Sequence, residues 1–216
     1  MSISKVLKTL KDEDVAYVDI RFTDPRGRLQ HVTVVSDEVD EDFLEEGFMF
    51  DGSSIAGWKS IEASDMKLMP DTDSVYIDPF YAEKTLCIHC SVVEPDTGEA
   101  YERDPRGTAQ KAEAYLKESG IGDVAYMGPE AEFFIFDDVR FENKINKVSY
   151  EVDAVDASWN TDTEYEMGNS GHRPGLKGGY FPVNPIDDAQ DLRSEMLSTM
   201  KSLGMKVDKH HHEVAS

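Results

Sequence analysis

"MGPEAEFFIF", residues 127–136, decides how this chain is read, because two glutamates stand inside its most hydrophobic run. Gly128 and Pro129 punctuate the start. The β-forming run Phe133, Phe134, Ile135, Phe136 follows, so residues 124–136 read as a strand entering a core. Side chains alternate along a strand, which puts Glu130 and Glu132 on one face with Phe134 and Phe136. Like charges on a half-buried face repel and lose hydration, a cost of several kcal/mol per ion unless something neutralises them. A hard divalent cation such as Mg²⁺ or Mn²⁺, which takes oxygen ligands, is one neutraliser. A strand mouth whose acids simply face water is the other reading.

Working outward, the second half alternates helical and extended patterns. Asp104-Pro105-Arg106-Gly107 opens a helix, with Asp104 as cap, Pro105 in its first turn, Ala109, Ala112 and Leu116 following, and Gly120 as its stop. A helix near 187–203 carries Leu192, Met196, Met200 and Leu203 at core spacing, ends at Gly204 and leads into a final strand, "KVDKHHHEVAS". Between them, residues 137–179 read as a long polar loop. Alternation of this kind points to an α/β layer or barrel.

The first hundred residues differ. Residues 2–11 pattern as an amphipathic helix with Ile3, Val6, Leu7 and Leu10 on one face and Ser2 as its cap. "VAYVDIRFT" and "LQHVTVV" are strands joined by the turn Asp24-Pro25-Arg26-Gly27, "DEDFLEEG" is a short helix stopped by Gly47, and "SVYIDPF" and "KTLCIHCSVVE" add strands. This is a small α+β unit with a curled sheet. Cys87 and Cys90 lie three apart on the last of these strands and so point to opposite faces, a poor geometry for a shared metal or a disulfide and an ordinary one for packing.

Composition narrows the function. Acidic residues outnumber basic ones 44 to 22 over 216 residues, for a formal charge of −22. A surface that negative repels phosphate backbones and anionic lipids, so neither nucleic acid nor membrane is an expected partner. With no membrane-length apolar run and no signal-peptide pattern, the expected location is the cytoplasm.

Three further clusters carry candidate chemistry. In "HHHEVA", residues 210–215, His211 and Glu213 share one strand face and His210 and His212 the other, so Glu213 is a candidate third oxygen ligand; zinc lacks the thiolate or spaced histidine pair it favours. In "FMFDGSS", residues 48–54, Asp51 precedes Gly52. That dipeptide is a tight-turn signal, and also a way to hold a carboxylate at a strand tip. In "KGGYFPV", residues 177–183, two glycines let backbone approach a ligand beside the Tyr180 hydroxyl, without the spacing of a Walker loop.

Taken together, "FDGSSIAGW", "GPEAEFFIF", "KGGYFPV" and "HHHEVA" stand in the order and spacing of bacterial type I glutamine synthetases, and the chain closely resembles the first half of that family from residue 1 to its end. The resemblance implies an α+β fold, with an N-terminal β-grasp domain over residues 1–103 and the first part of a catalytic α/β barrel over 104–216. It implies a ligase that uses ATP to phosphorylate the γ-carboxylate of L-glutamate and lets ammonia displace the phosphate, with two Mg²⁺ or Mn²⁺ ions per active site and a homo-oligomer, a dodecamer, whose active sites lie between neighbouring subunits. By position, Glu132 and Glu213 correspond to ligands of one metal and Glu130 to a ligand of the other. Asp51 corresponds to the acid that binds and deprotonates ammonium, in a pocket completed by Ser54, Tyr180 and Glu213. Asp208 stands at a nucleotide-contacting position where glutamate is usual, one methylene short, and Asn184 stands where proline is usual. The remaining metal ligands and the glutamate-gripping arginines are expected beyond residue 216, so the chain is expected to be a fragment and inactive alone. The alternatives are a relative joining another amine to glutamate, or a non-catalytic assembly or binding module.

Overall fold

The computed structural model describes residues 1–154, 157, 159 and 173–215. It divides into two compact units, Met1–Met127 and Gly128–Ser216.

The first unit is built on helix α1 (Ile3–Asp12) and a six-stranded sheet. In α1 the apolar stripe read from the sequence faces inward: Val6 and Leu10 are buried, and Ile3 and Leu7 pack beside them. Ser2 occupies the cap position, but its hydroxyl pairs with Ser4 Oγ instead of capping the helix. Strands β1 (Tyr17–Thr23) and β2 (Leu29–Val35) form the expected hairpin, in register from Tyr17↔Val35 to Thr23↔Leu29. Asp24 holds its turn by accepting from the backbone N–H of Arg26 and Arg28, and Gly27 supplies the left-handed residue at φ +79°.

Helix α2 (Glu41–Glu46) is capped by the Asp40 carboxylate and ended by Gly47. Strands β3 (Phe48–Asp51), β4 (Asp65–Pro70) and the two-residue β5 (Tyr76–Ile77) lead to β6 (Thr85–Val93). The last is central, parallel to β1 and antiparallel to β4 and β5, which gives the order β2-β1-β6-β4-β3. One face of this sheet closes on α1 and α2 over Val18, Ile20, Met66, Leu68, Ile88 and Val92.

Cys87 and Cys90 are both free and buried, and burial pushes their thiols up to about 11 and about 12. They are packing residues, as read. The buried Asp104 then ties the sheet to helix α3 (Pro105–Glu118): it accepts from Val92 N–H on β6 and from the Arg106 and Gly107 N–H groups of the first helical turn. Ala109 and Ala112, the apolar positions of α3, stay exposed.

Beyond residue 123 the sequence reading needs three corrections. Residues 124–136 have no regular secondary structure and no described segment pairs with them, so the expected strand is not formed. A strand exists only where neighbours satisfy its N–H and C=O groups. Residues 205–215 likewise form no strand. Conversely, 138–153 is no loop: it is a β-hairpin of β7 (Asp138–Lys144) and β8 (Lys147–Asp153). One of its faces is a ladder of ion pairs, with Arg140 among Asp138, Glu151 and Asp153, and Glu142 between Lys144 and Lys147. The other carries Val139, Phe141, Val148 and Tyr150, all exposed. Helix α4 (Gln190–Ser202) sits where expected, but none of its residues is buried.

Candidate functional site

Asp51 ends β3, paired with Asp65 of β4, and its exposed carboxylate is shaped by the turn that follows. Ser53 donates twice to Oδ1, from its backbone N–H at 2.8 Å and its hydroxyl at 2.6 Å. Ser54 Oγ lies 3.5 Å from Oδ2. These donors, Ser53 foremost, hold Asp51 below the usual carboxylate range, so it is an anion at neutral pH. Gly52 serves the site differently from the tight turn its dipeptide signals. Its φ is not left-handed, but its N–H donates to Ser64 C=O at 2.7 Å, and a Cβ would stand 2.6 Å from Cγ of the fully buried Met66. Glycine is required there for space.

The segment after Asp51 is fastened within the first unit. The Trp58 ring packs among Phe22, Phe50 and Tyr101, and the Lys59 ammonium meets both oxygens of Glu94 at 2.7 and 2.8 Å. Arg103 donates to Gly57 C=O at 2.7 Å.

In the second unit, residues 179–181 run beside 212–214: Gly179 N–H donates to Val214 C=O and Phe181 N–H to His212 C=O. Gly179 permits this approach, since a Cβ would lie 2.6 Å from Glu213 O. The glycines read as making room for a ligand make room for the chain itself. The exposed Tyr180 stacks on Phe181 at 4.0 Å between ring centroids, and His211 meets both rings edge-on. His211 Nε2 lies 3.6 Å from Glu213 Oε1, so these two side chains meet, while His210 turns to α4, against Arg193 Nε and Ser194 Oγ. Arg193 is in turn paired with the buried Asp187. An open cleft of about 300 Å³ lies here, bordered by Phe181, Asp187, Lys209, His210 and His211.

The remaining candidates stand apart. Glu130 and Glu132 are exposed on a segment without regular secondary structure, and Asp208 is exposed with Lys209 at 3.8 Å. Carboxylate oxygens are suitable donors for a hard divalent ion. Yet among the described residues no three His, Cys, Asp or Glu side chains come together to hold a metal, so Glu130, Glu132 and Glu213 do not converge. The sequence reading missed Ser53, Asp187, Arg193 and Ser194, which orient named site residues. Only Ser53, two residues past an aspartate in a turn sequence, carries a local signal. No described helix is long and apolar enough to cross a membrane.

Comparison with known proteins accounts for both units. The glutamine synthetase β-grasp domain matches residues 14–95 and the glutamine synthetase catalytic domain matches residues 102–216. Curated glutamine synthetases from Cereibacter sphaeroides and Rhodobacter capsulatus are 78% and 74% identical over 99% and 100% of this chain, which covers 46% and 49% of their lengths. The chain therefore spans about half the length of the curated relatives it matches. Among solved structures, a Plasmodium falciparum glutamine synthetase, 23% identical, shares the fold at a TM-score of 0.84 over 100% of this chain and 43% of its own. Matched along nearly its whole length by the two domain families and by these relatives, the chain belongs to the glutamine synthetase family.

Proposed function

We propose that the chain supplies the ammonium-binding carboxylate and part of the metal-ligand set of a glutamate–ammonia ligase, which uses ATP to make γ-glutamyl phosphate and then glutamine. The observation that carries the reading is Asp51: a carboxylate at an exposed strand tip, held ionised by hydrogen bonds from Ser53. A fixed anion of this kind attracts ammonium and accepts its proton as the nitrogen becomes a nucleophile. Ser54, Tyr180 and Glu213 complete the pocket in this reading, and Asp208 meets the nucleotide.

Glu132 and Glu213 are proposed as ligands of one divalent ion and Glu130 of a second. Such ions neutralise and align the oxygens of the transferring phosphoryl group. Among the described residues these three carboxylates do not converge. A cytoplasmic homo-oligomer with the active site shared between subunits belongs to the same proposal, as does the inactivity of these residues on their own.

The test is a chimera in which this chain replaces the matching half of a curated relative. Asp51→Asn should leave ATP binding intact and slow turnover at limiting ammonium by roughly a hundredfold or more, the scale of losing a general base. A normal rate at limiting ammonium would remove Asp51 from this role. Glu132→Ala should weaken Mn²⁺ binding in calorimetry, and an unchanged titration would remove Glu132 from the ligand set.

A further inference from the structure

The two oxygens of Asp51 are not equivalent. Oδ1 is taken twice, by the backbone N–H and the hydroxyl of the half-buried Ser53 at 2.8 and 2.6 Å. Oδ2 meets Ser54 Oγ at 3.5 Å, beyond the usual 2.5–3.0 Å of a hydroxyl hydrogen bond, and no closer donor to it is found among the described residues. From this asymmetry we infer that Ser53 is a positioning residue, which locks the Asp51 carboxylate so that Oδ2, together with Ser54 Oγ, is the acceptor pair offered to the ammonium ion.

The inference rests on the reading of Asp51 as the ammonium-binding acid and adds which atoms do the binding and what aims them. Two donors from one residue on one oxygen fix both side-chain torsions of Asp51, so the anion need not be ordered when the cation arrives. The backbone that carries Ser53 is itself fixed. Gly52 N–H is bonded to Ser64 C=O, and Gly52 fits against Met66 only because it lacks a side chain. The Ser64 hydroxyl also favours the ionised form of Asp51, while Asp65, opposite Asp51 on β4, is the acid facing it across the strand pair. Oδ2 and Ser54 Oγ then lie close enough for one tetrahedral cation to donate to both.

The test has two parts. In this chain, carbon-13 NMR of the Asp51 carboxyl should show it titrating below the ordinary value of about 3.9. Ser53→Ala should raise that midpoint by about one unit, and Ser53→Thr, which keeps the hydroxyl, should restore it. In the chimera, Ser53→Ala should raise KM for ammonium roughly tenfold while kcat and KM for ATP stay within about twofold, with Ser53→Thr again close to the parent. An unmoved Asp51 midpoint in Ser53→Ala, or a fall in kcat with KM for ammonium unchanged, overturns the positioning role. The reading beneath it fails separately: if Asp51→Asn leaves KM for ammonium unchanged, Asp51 does not bind the cation, whatever its titration in the Ser53 variants.

Discussion

The two units meet the same problem, burying alternating apolar residues, with opposite results. In the first, β6 runs between β1 and β4, and Leu86, Ile88 and Val92 are fully buried. In the second, Phe133, Phe134, Ile135 and Phe136 belong to a run of comparable hydrophobicity, and each keeps 44% or more of its surface exposed. The difference is not propensity. A strand's free energy comes from neighbours that pair its backbone and cover its faces. Residues 85–93 have those neighbours among the described residues and residues 124–136 do not. The same contrast separates α1, which is strongly amphipathic and buries Val6 and Leu10, from α4, whose apolar stripe is weaker and buries nothing.

The contrast can be broken by substitution. Ile88→Ala removes a fully buried side chain from the centre of the first sheet and should cost about 2–5 kcal/mol in urea denaturation followed by sheet circular dichroism. A loss below about 1 kcal/mol would mean that this core is no tighter than the second unit.

A smaller effect is expected from the buried Asp19, which Arg21 Nε, His31 Nδ1 and Thr33 Oγ1 meet at 2.6–2.8 Å. Burial opposes its ionisation, but the bonds from Arg21, His31 and Thr33 outweigh that and lower its pKa. A lowered folded-state pKa means the contribution is complete above the unfolded value of about 3.9 and is lost as pH falls towards the folded one. Asp19→Asn should therefore cost about 1–3 kcal/mol at neutral pH and flatten the loss of stability below about pH 4. A variant with the parent's acid profile would contradict this. The smallest effect belongs to α4: Met196→Ala, at a site 41% exposed, should change stability by less than about 0.5 kcal/mol, and a loss above about 2 kcal/mol would show a packed face there.

What could be read in advance follows the same physics. Helix α1, the β1–β2 turn, the α2 stop at Gly47 and the Asp104 cap were legible because a few neighbouring residues determine them. The strand at 124–136 was overread because its pattern is real while its pairing depends on segments not found beside it. The β7–β8 hairpin was underread although Val139, Phe141, Val148, Tyr150 and Val152 alternate, because the charges between them give the stretch a loop's composition. At the site, Asp51 was visible from its motif, and the meeting of His211 with Glu213 agrees with the sequence reading although the strand expected to carry it does not form. The two hydrogen bonds from Ser53 to Oδ1 and the clash that makes Gly52 necessary were not, since both depend on the backbone's course against β4.

Amide hydrogen exchange tests the central contrast most directly. Residues 17–23 and 85–93 should be protected far more strongly than residues 124–136 and 205–215, which should exchange at rates close to those of an unfolded chain. Equal protection of the two sets in a soluble monomer would contradict the account, because it would mean that the second unit pairs these segments without the neighbours held to be necessary.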